Sequence, residues 1–251
     1  MKADIIARNL SKTFNNGLTT LKNLNFEITE GDFVSLVGPS GCGKSTLLRL
    51  IAKLEMPSEG SLQVYHDQIA FVFQDAHLLP WRNVFENISL PLELQKISPA
   101  EKKSLTEQAL EKIGLKDFAS AYPAQLSGGM KMRVSLARAL VTQPKLLLMD
   151  EPFAALDEVS RASLEEDLRK LWLEKKMTIV FVTHSISEAC FLTNRALVLS
   201  SRPGQIVLDK KISLPENRKL EITLSPEFSK TAREILEVLS ANTQQDMAAQ
   251  L

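Results

Sequence analysis

Residues 38–46 read GPSGCGKST, and few short segments restrict a fold as much as this one. The segment fits G-x-x-x-x-G-K-[ST] through Gly38, Gly43, Lys44 and Ser45. Such a loop wraps a polyphosphate with its backbone N–H groups, so side chains must be absent where the backbone comes close; Gly38, Gly41 and Gly43 meet that need. Lys44 carries a mobile positive charge to the β- and γ-phosphates, and the Ser45 hydroxyl is a ligand suited to Mg²⁺. The flanks agree with the loop. FVSLV (33–37) is a short apolar run before it, and TLLRLIA (46–52) reads as a helix whose N-terminus faces the phosphates. A strand–loop–helix unit of this kind needs a parallel sheet to sit in.

The rest of the 251 residues supply one. From 1 to about 73 the chain reads mostly as strands: IIARNL, LNFEI, FVSLV, SLQVY and IAFVF. From about 75 to 140 it reads as helix and loop, with Ser98-Pro99-Ala100-Glu101 capping a helix that runs to about Ile113. From about 145 to 209 strand and helix alternate: LLLM, a helix over 158–174, IVFV, a short helix from Ile186, and ALVL. The fold class expected is therefore α/β, a mostly parallel core sheet with a strand-rich N-terminal part and an inserted helical stretch. A last helix opens at Ser225-Pro226 and carries Phe228, Ala232, Ile235, Leu236 and Leu239 on one face. One domain over 1–240 is predicted, with the insertion at about 75–140, an extension at about 210–240 and a frayed tail at 241–251.

Charge narrows the partners. Thirty basic and thirty acidic residues cancel, so no overall field favours nucleic acid or acidic lipid. Cys42 and Cys190 show neither a disulfide spacing nor a zinc spacing, which suits a reducing compartment. The N-terminus has no signal-peptide pattern, and the apolar runs fall short of the roughly 20 residues a membrane helix needs. A membrane process would need a partner to provide the span.

Two further segments carry chemistry. In LLLMDEPF (146–153) an apolar strand ends in two acids. Asp150 is placed to hold Mg²⁺ and Glu151 to polarise an attacking water, with strand alternation sending the two side chains to opposite faces. In LSGGM (126–130), Ser127, Gly128 and Gly129 open a helix running through Arg133 and Arg138, a second helix end able to receive an anion. The two phosphate-seeking ends either converge in one copy or are exchanged between two.

The order GPSGCGKST, Gln74, LSGGM, LLLMDEP, AALD and His184 resembles the ATP-binding cassettes of ABC transporters, over residues 4 to about 209. The resemblance implies a P-loop NTPase fold, an antiparallel N-terminal β part and an inserted α-helical subdomain. It also implies ATP and Mg²⁺ as ligands, and a head-to-tail homodimer in which Ser127, Gly128 and Gly129 of one copy face the γ-phosphate held by Lys44 of the other. Further nucleotide contacts would come from Pro39, Ser40, Cys42 and Thr46 of the loop. Phe14 matches the aromatic that stacks on adenine, and Gln74 the Mg²⁺/γ-phosphate sensor. Asp157 lies in the loop that communicates across the dimer, and His184 matches the γ-phosphate switch. The expected catalytic set is Glu151, His184, Gln74 and Lys44; the expected metal set is Ser45, Gln74 and Asp150.

QDAHLLPWRNVFENI (74–88) and SRPGQIV (201–207) resemble the cassette subunits of nitrate/sulfonate/taurine-type importers. In that subfamily Met is common at position 130, and the LPW segment contributes to the surface that receives the membrane subunit. The implied role is an ATPase on the cytoplasmic face of a bacterial inner membrane, peripheral to polytopic permease subunits and served by an external solute-binding protein, with no nucleic-acid partner. An exporter or lipid-trafficking cassette, or a soluble cassette ATPase, stays open as an alternative. Ser185 follows His184 where Asp is frequent. Cys42, beside Lys44 at a helix N-terminus, is expected to be the more reactive thiol, and Cys190 to be a buried apolar residue.

Overall fold

The computed structural model describes residues 2–249, with side chains as far as Asn242. In chain order the elements are β1 (Ala3–Thr13), β2 (Thr19–Thr29), β3 (Phe33–Val37), α1 (Lys44–Ile51), β4 (Glu59–Val64), β5 (Ile69–Val72), α2 (Val84–Leu94) and α3 (Pro99–Lys112). There follow α4 (Gly128–Leu140), β6 (Leu146–Asp150), α5 (Glu158–Lys175), β7 (Thr178–Thr183), α6 (Ile186–Leu192), β8 (Arg195–Leu199), β9 (Ile206–Lys211) and α7 (Pro226–Ala249). The chain divides into two compact units: Met1–Asp67 with Glu165–Leu251, and Gln68–Leu164. The second unit is wider than the predicted insertion because it takes in β5 and β6 as well as the helices.

In the first unit, β1 lies between β2 and β4, antiparallel to both. A second sheet centres on β3, with β7 and β8 parallel on its two sides and β9 antiparallel beyond β8. Every residue of β3 and β7 is buried, so the strands are covered on both faces, as in a helix-covered parallel sheet. Leu36 stands opposite Val182 on one side and Leu197 on the other, which fixes the height at which the phosphate loop leaves the sheet. Phe33 packs on Trp172 and Phe181, and Trp172 Nε1 donates to the Gly31 carbonyl at 3.0 Å. In α7 Phe228 and Ile235 are buried as expected, but Leu236 is half-exposed and lies off the buried face. The helix also continues past Ala241, where the sequence suggests fraying, because Ala, Gln and Met favour helix. Residues 250 and 251 of the expected tail lie outside the described residues.

In the second unit β5 and β6 pair in parallel, Phe71 opposite Leu148. The helices close a core of Val84, Ile88, Leu92, Leu110, Leu126, Val134 and Val141. Ser98 caps α3 by accepting the Glu101 N–H at 3.3 Å, with Pro99 at the first helical position, as the sequence predicts.

Candidate functional site

The loop after β3 is shaped by contacts too close for side chains. Gly41 and Gly43 have φ of 76° and 107°, in the region that favours glycine. A Cβ on Gly43 would stand 2.6 Å from Leu21 Cδ2; one on Gly38 would stand 2.9 Å from both Cys42 Sγ and the Leu199 carbonyl oxygen. Lys44 is 5% exposed, and its ammonium donates to the Gly38 and Pro39 carbonyls at 2.8 and 2.9 Å, holding the charge at the centre of the loop. Gly43 caps α1 without a side-chain hydrogen bond, and no acid lies in the first turn, so the positive end of the helix dipole is not offset there. Ser45 and Thr46 are half-buried in that turn and Ser40 is exposed at the tip.

Gly204 is a part of this loop that the sequence reading missed. A Cβ there would stand 2.2 Å from the Cys42 carbonyl oxygen. Its N–H donates to Thr20 O at 2.8 Å and its carbonyl accepts from Lys22 N–H at 3.1 Å. The SRPG segment is thus a backbone wall behind the phosphate loop. Cys42 itself is fully buried, which overturns its expected reactivity: burial pushes the thiol above its usual range, outweighing the opposing pull of Lys44. Cys190 is buried as expected, its thiol pushed up to about 11 by the same cause. Phe14 is half-buried at the turn between β1 and β2, with the Lys12 ammonium 5.0 Å above its ring. His184 is exposed just after β7; Ser185 caps the following helix, accepting the Glu188 N–H at 3.2 Å.

The remaining predicted residues belong to the second unit. Gln74 is exposed two residues after β5. Arg138 of α4 donates to the Ala76 and His77 carbonyls at 2.8 and 3.0 Å, tying the segment after Gln74 to the helix that LSGGM opens. Ser127 caps that helix by accepting the Met130 N–H at 3.2 Å, Gly128 is exposed and Gly129 half-buried. Asp150 ends β6. Glu151 does not continue the strand: its φ is 46°, so the expectation of strand alternation fails at this residue. A left-handed glutamate is a strained position of the sort found where a side chain has to be aimed. Asp157 accepts the Ser160 N–H at 2.9 Å at the start of α5, and that bond holds its carboxyl below the usual range. Trp81 is 71% exposed, so it is not a core aromatic. The turn presenting it is pinned by fully buried Asn87, whose amide donates to Leu79, Arg82 and Asn83 carbonyls at 3.2, 2.9 and 3.0 Å.

The model of the family described as "ABC transporter" matches residues 21–154, more than half of the chain. This chain belongs to the ABC transporter family. Among curated relatives, an uncharacterised ABC transporter ATP-binding protein of Methanocaldococcus jannaschii is 42% identical over 95% of this chain and 92% of its own length. The nitrate import ATP-binding protein NrtD of Synechocystis is 42% identical over 92% of each. The aliphatic sulfonates import ATP-binding protein SsuB of Bacillus thuringiensis is 42% identical over 79% of this chain and 81% of its own. Among solved structures, a dimeric ATP-binding cassette in a post-hydrolysis state with ADP and Pi superposes with a TM-score of 0.75 at 35% identity, covering 84% of this chain and all of that one. As an ABC cassette the chain is an ATP-binding, ATP-hydrolysing subunit of a transporter with the expected α/β fold.

Proposed function

We propose that this cassette drives import of a small oxyanion-type solute, nitrate- or sulfonate-like, through partner membrane subunits, working as a homodimer on the cytoplasmic face. The observation that carries the reading is the 42% identity to NrtD along 92% of both chains. The exposed Trp81, on a turn rigidified by Asn87, supports docking of a membrane partner at that segment. Among the described residues no helix is long and apolar enough to cross a membrane, so the span falls to that partner.

Each residue then has a task at the nucleotide. Phe14 stacks on the adenine. The loop amides and Lys44 hold the phosphates, and the buried ammonium loses little entropy in doing so. The residues that would hold Mg²⁺ are Asp150, Ser45 and Gln74, which offer a carboxylate, a hydroxyl and an amide oxygen, hard donors of the kind that cation takes. Bound there, Mg²⁺ would neutralise charge between the phosphates. Glu151 orients the attacking water and accepts its proton, while His184 contacts the γ-phosphate. Ser127, Gly128 and Gly129 of a second copy close the site through the N-terminus of α4. The test is co-purification with a polytopic membrane protein, then ATPase assay with binding protein loaded with nitrate or an alkanesulfonate. Stimulation is expected, and Glu151→Gln is expected to remove it by roughly 10²–10⁴-fold while ATP binding persists. Absence of a membrane partner, or a Glu151→Gln protein with near wild-type turnover, would overturn the reading.

A further inference from the structure

Helix α6 begins two residues after His184 and has only seven residues, about 10 Å of rod. So short a helix does not hold itself in water, because nucleation costs more than its few hydrogen bonds return. Its ends are fixed from outside. At the front, Thr183 Oγ1 accepts the Ser185 N–H at 2.9 Å and donates to Glu188 Oε2 at 2.5 Å, and Ser185 Oγ caps Glu188. At the back, the carbonyls that end the helix have no intrahelical donors. Arg218 Nη1 is shared among Cys190, Phe191 and Thr193 carbonyls at 2.7, 2.9 and 2.8 Å, and Arg169 Nη1 meets the Leu192 carbonyl at 2.6 Å. Two positive charges therefore stand at the negative end of the helix dipole.

Arg218 belongs to the extension after β9, and the strap that carries it is held in turn. Its Nε donates to Pro215 O at 2.8 Å, and Arg169 donates from Nε and Nη2 to Glu216 O at 3.0 and 2.8 Å while stacking on Trp172. Both guanidinium groups are nearly sealed, at 1% and 4% exposure. Burial lowers Arg169 to about 9 and Arg218 to about 10, and both stay charged at neutral pH. Placing two like charges side by side in the interior is costly, and apolar side chains of similar volume would usually serve stability as well. The arrangement does not add bulk; it sets where α6 stands.

We propose that Arg218, with Arg169 beside it, is a positioning residue for His184: the C-terminal strap fixes α6 from behind, and through Ser185 and Thr183 fixes the histidine in front. This rests on the γ-phosphate role assigned to His184 above. It gives the extension beyond residue 210 a task in hydrolysis. Small displacements of a catalytic group cost up to about 10²-fold, whereas the phosphate loop is built from other contacts.

The test compares Arg218→Met, Arg218→Lys, His184→Ala and the double variants, by single-turnover hydrolysis and by ATP affinity, well below each Tm. Arg218→Met is expected to lower the hydrolysis rate about 10-fold with ATP affinity within about two-fold, and Arg218→Lys to recover part of the loss. In the His184→Ala background neither change should slow hydrolysis further, because the arginine acts through the histidine. If Arg218→Met does not fold, Arg218→Lys carries the test. A folded Arg218→Met at the full rate, an Arg218→Lys that is at full rate or unfolded where Arg218→Met does not fold, or a loss that adds to that of His184→Ala, would each overturn the inference. If His184→Ala itself hydrolyses at the wild-type rate, the assigned role of the histidine fails first, and this inference falls with it.

Discussion

The Cys42 thiol is sealed beneath the phosphate loop, with no exposed surface, and Cys190 is equally covered in α6. With its pKa near 11, Cys190 is about one part in a thousand thiolate at pH 8. Maleimide labelling of the native protein, followed by mass spectrometry of each peptide, should therefore be slow at both cysteines and fast only in denaturant. Rapid native labelling of Cys42 would show that the loop opens. The pH sign follows from the raised values: the folded thiols hold their protons longer than the unfolded ones, so stability is complete below the unfolded value of 9.0 and declines as pH climbs toward 11. The sequence could place Cys42 next to a charge but could not weigh that charge against burial, because Gly204, whose backbone stands against Cys42, lies more than 150 residues away. Glu151 shows the same limit. LLLMDEP suggests the role proposed for it, but not its left-handed backbone.

At the level of elements, local signals were readable and distant pairings were not. The Ser98 cap, the helix from Gly128 and the buried parallel strands lie where periodicity and capping put them. The ties between helices needed coordinates. Glu93 at the end of α2 accepts from Arg82 at 2.8 Å and from Lys102 of α3 at 3.2 Å. Arg82 first, and Lys102 after it, hold the Glu93 carboxyl below its usual value. The contribution is then present above the unfolded value of 4.5 and is lost as pH falls through the lower folded value. Glu93→Gln should cost under about 1 kcal/mol at pH 7, given the partial exposure of all three side chains, and less at pH 3. Urea unfolding at the two pH values measures it; an equal cost at both would assign the effect to packing. Because Arg82 is committed here, Trp81→Ala alone is the cleaner probe of docking, and a charge reversal at Arg82 would disturb α2 as well.

For the whole molecule, the balance of 30 basic and 30 acidic residues means that no net charge opposes the association of two copies. The proposed homodimer therefore turns on local groups at the start of α4. Two glycines stand there and they are not equivalent. A Cβ on Gly129 would lie 3.2 Å from Ser160 Oγ, so a side chain at 129 disturbs its own copy. On Gly128 the nearest atom is the Ala155 carbonyl oxygen at 3.9 Å, and the residue is exposed. Gly128→Asp thus places a negative charge on the proposed dimer face with little strain in the monomer. Against a γ-phosphate about 4 Å away, such a charge repels by about 4 kcal/mol at an effective dielectric near 20. In a Glu151→Gln background, where ATP is expected to be retained, sedimentation should show the ATP-dependent dimer lost in Gly128→Asp while nucleotide affinity of the monomer stays within about two-fold, since the phosphate loop of each copy is untouched. A Gly128→Asp protein that dimerises normally with ATP would mean that the N-terminus of α4 does not serve a second copy's nucleotide, and the shared site would have to be abandoned.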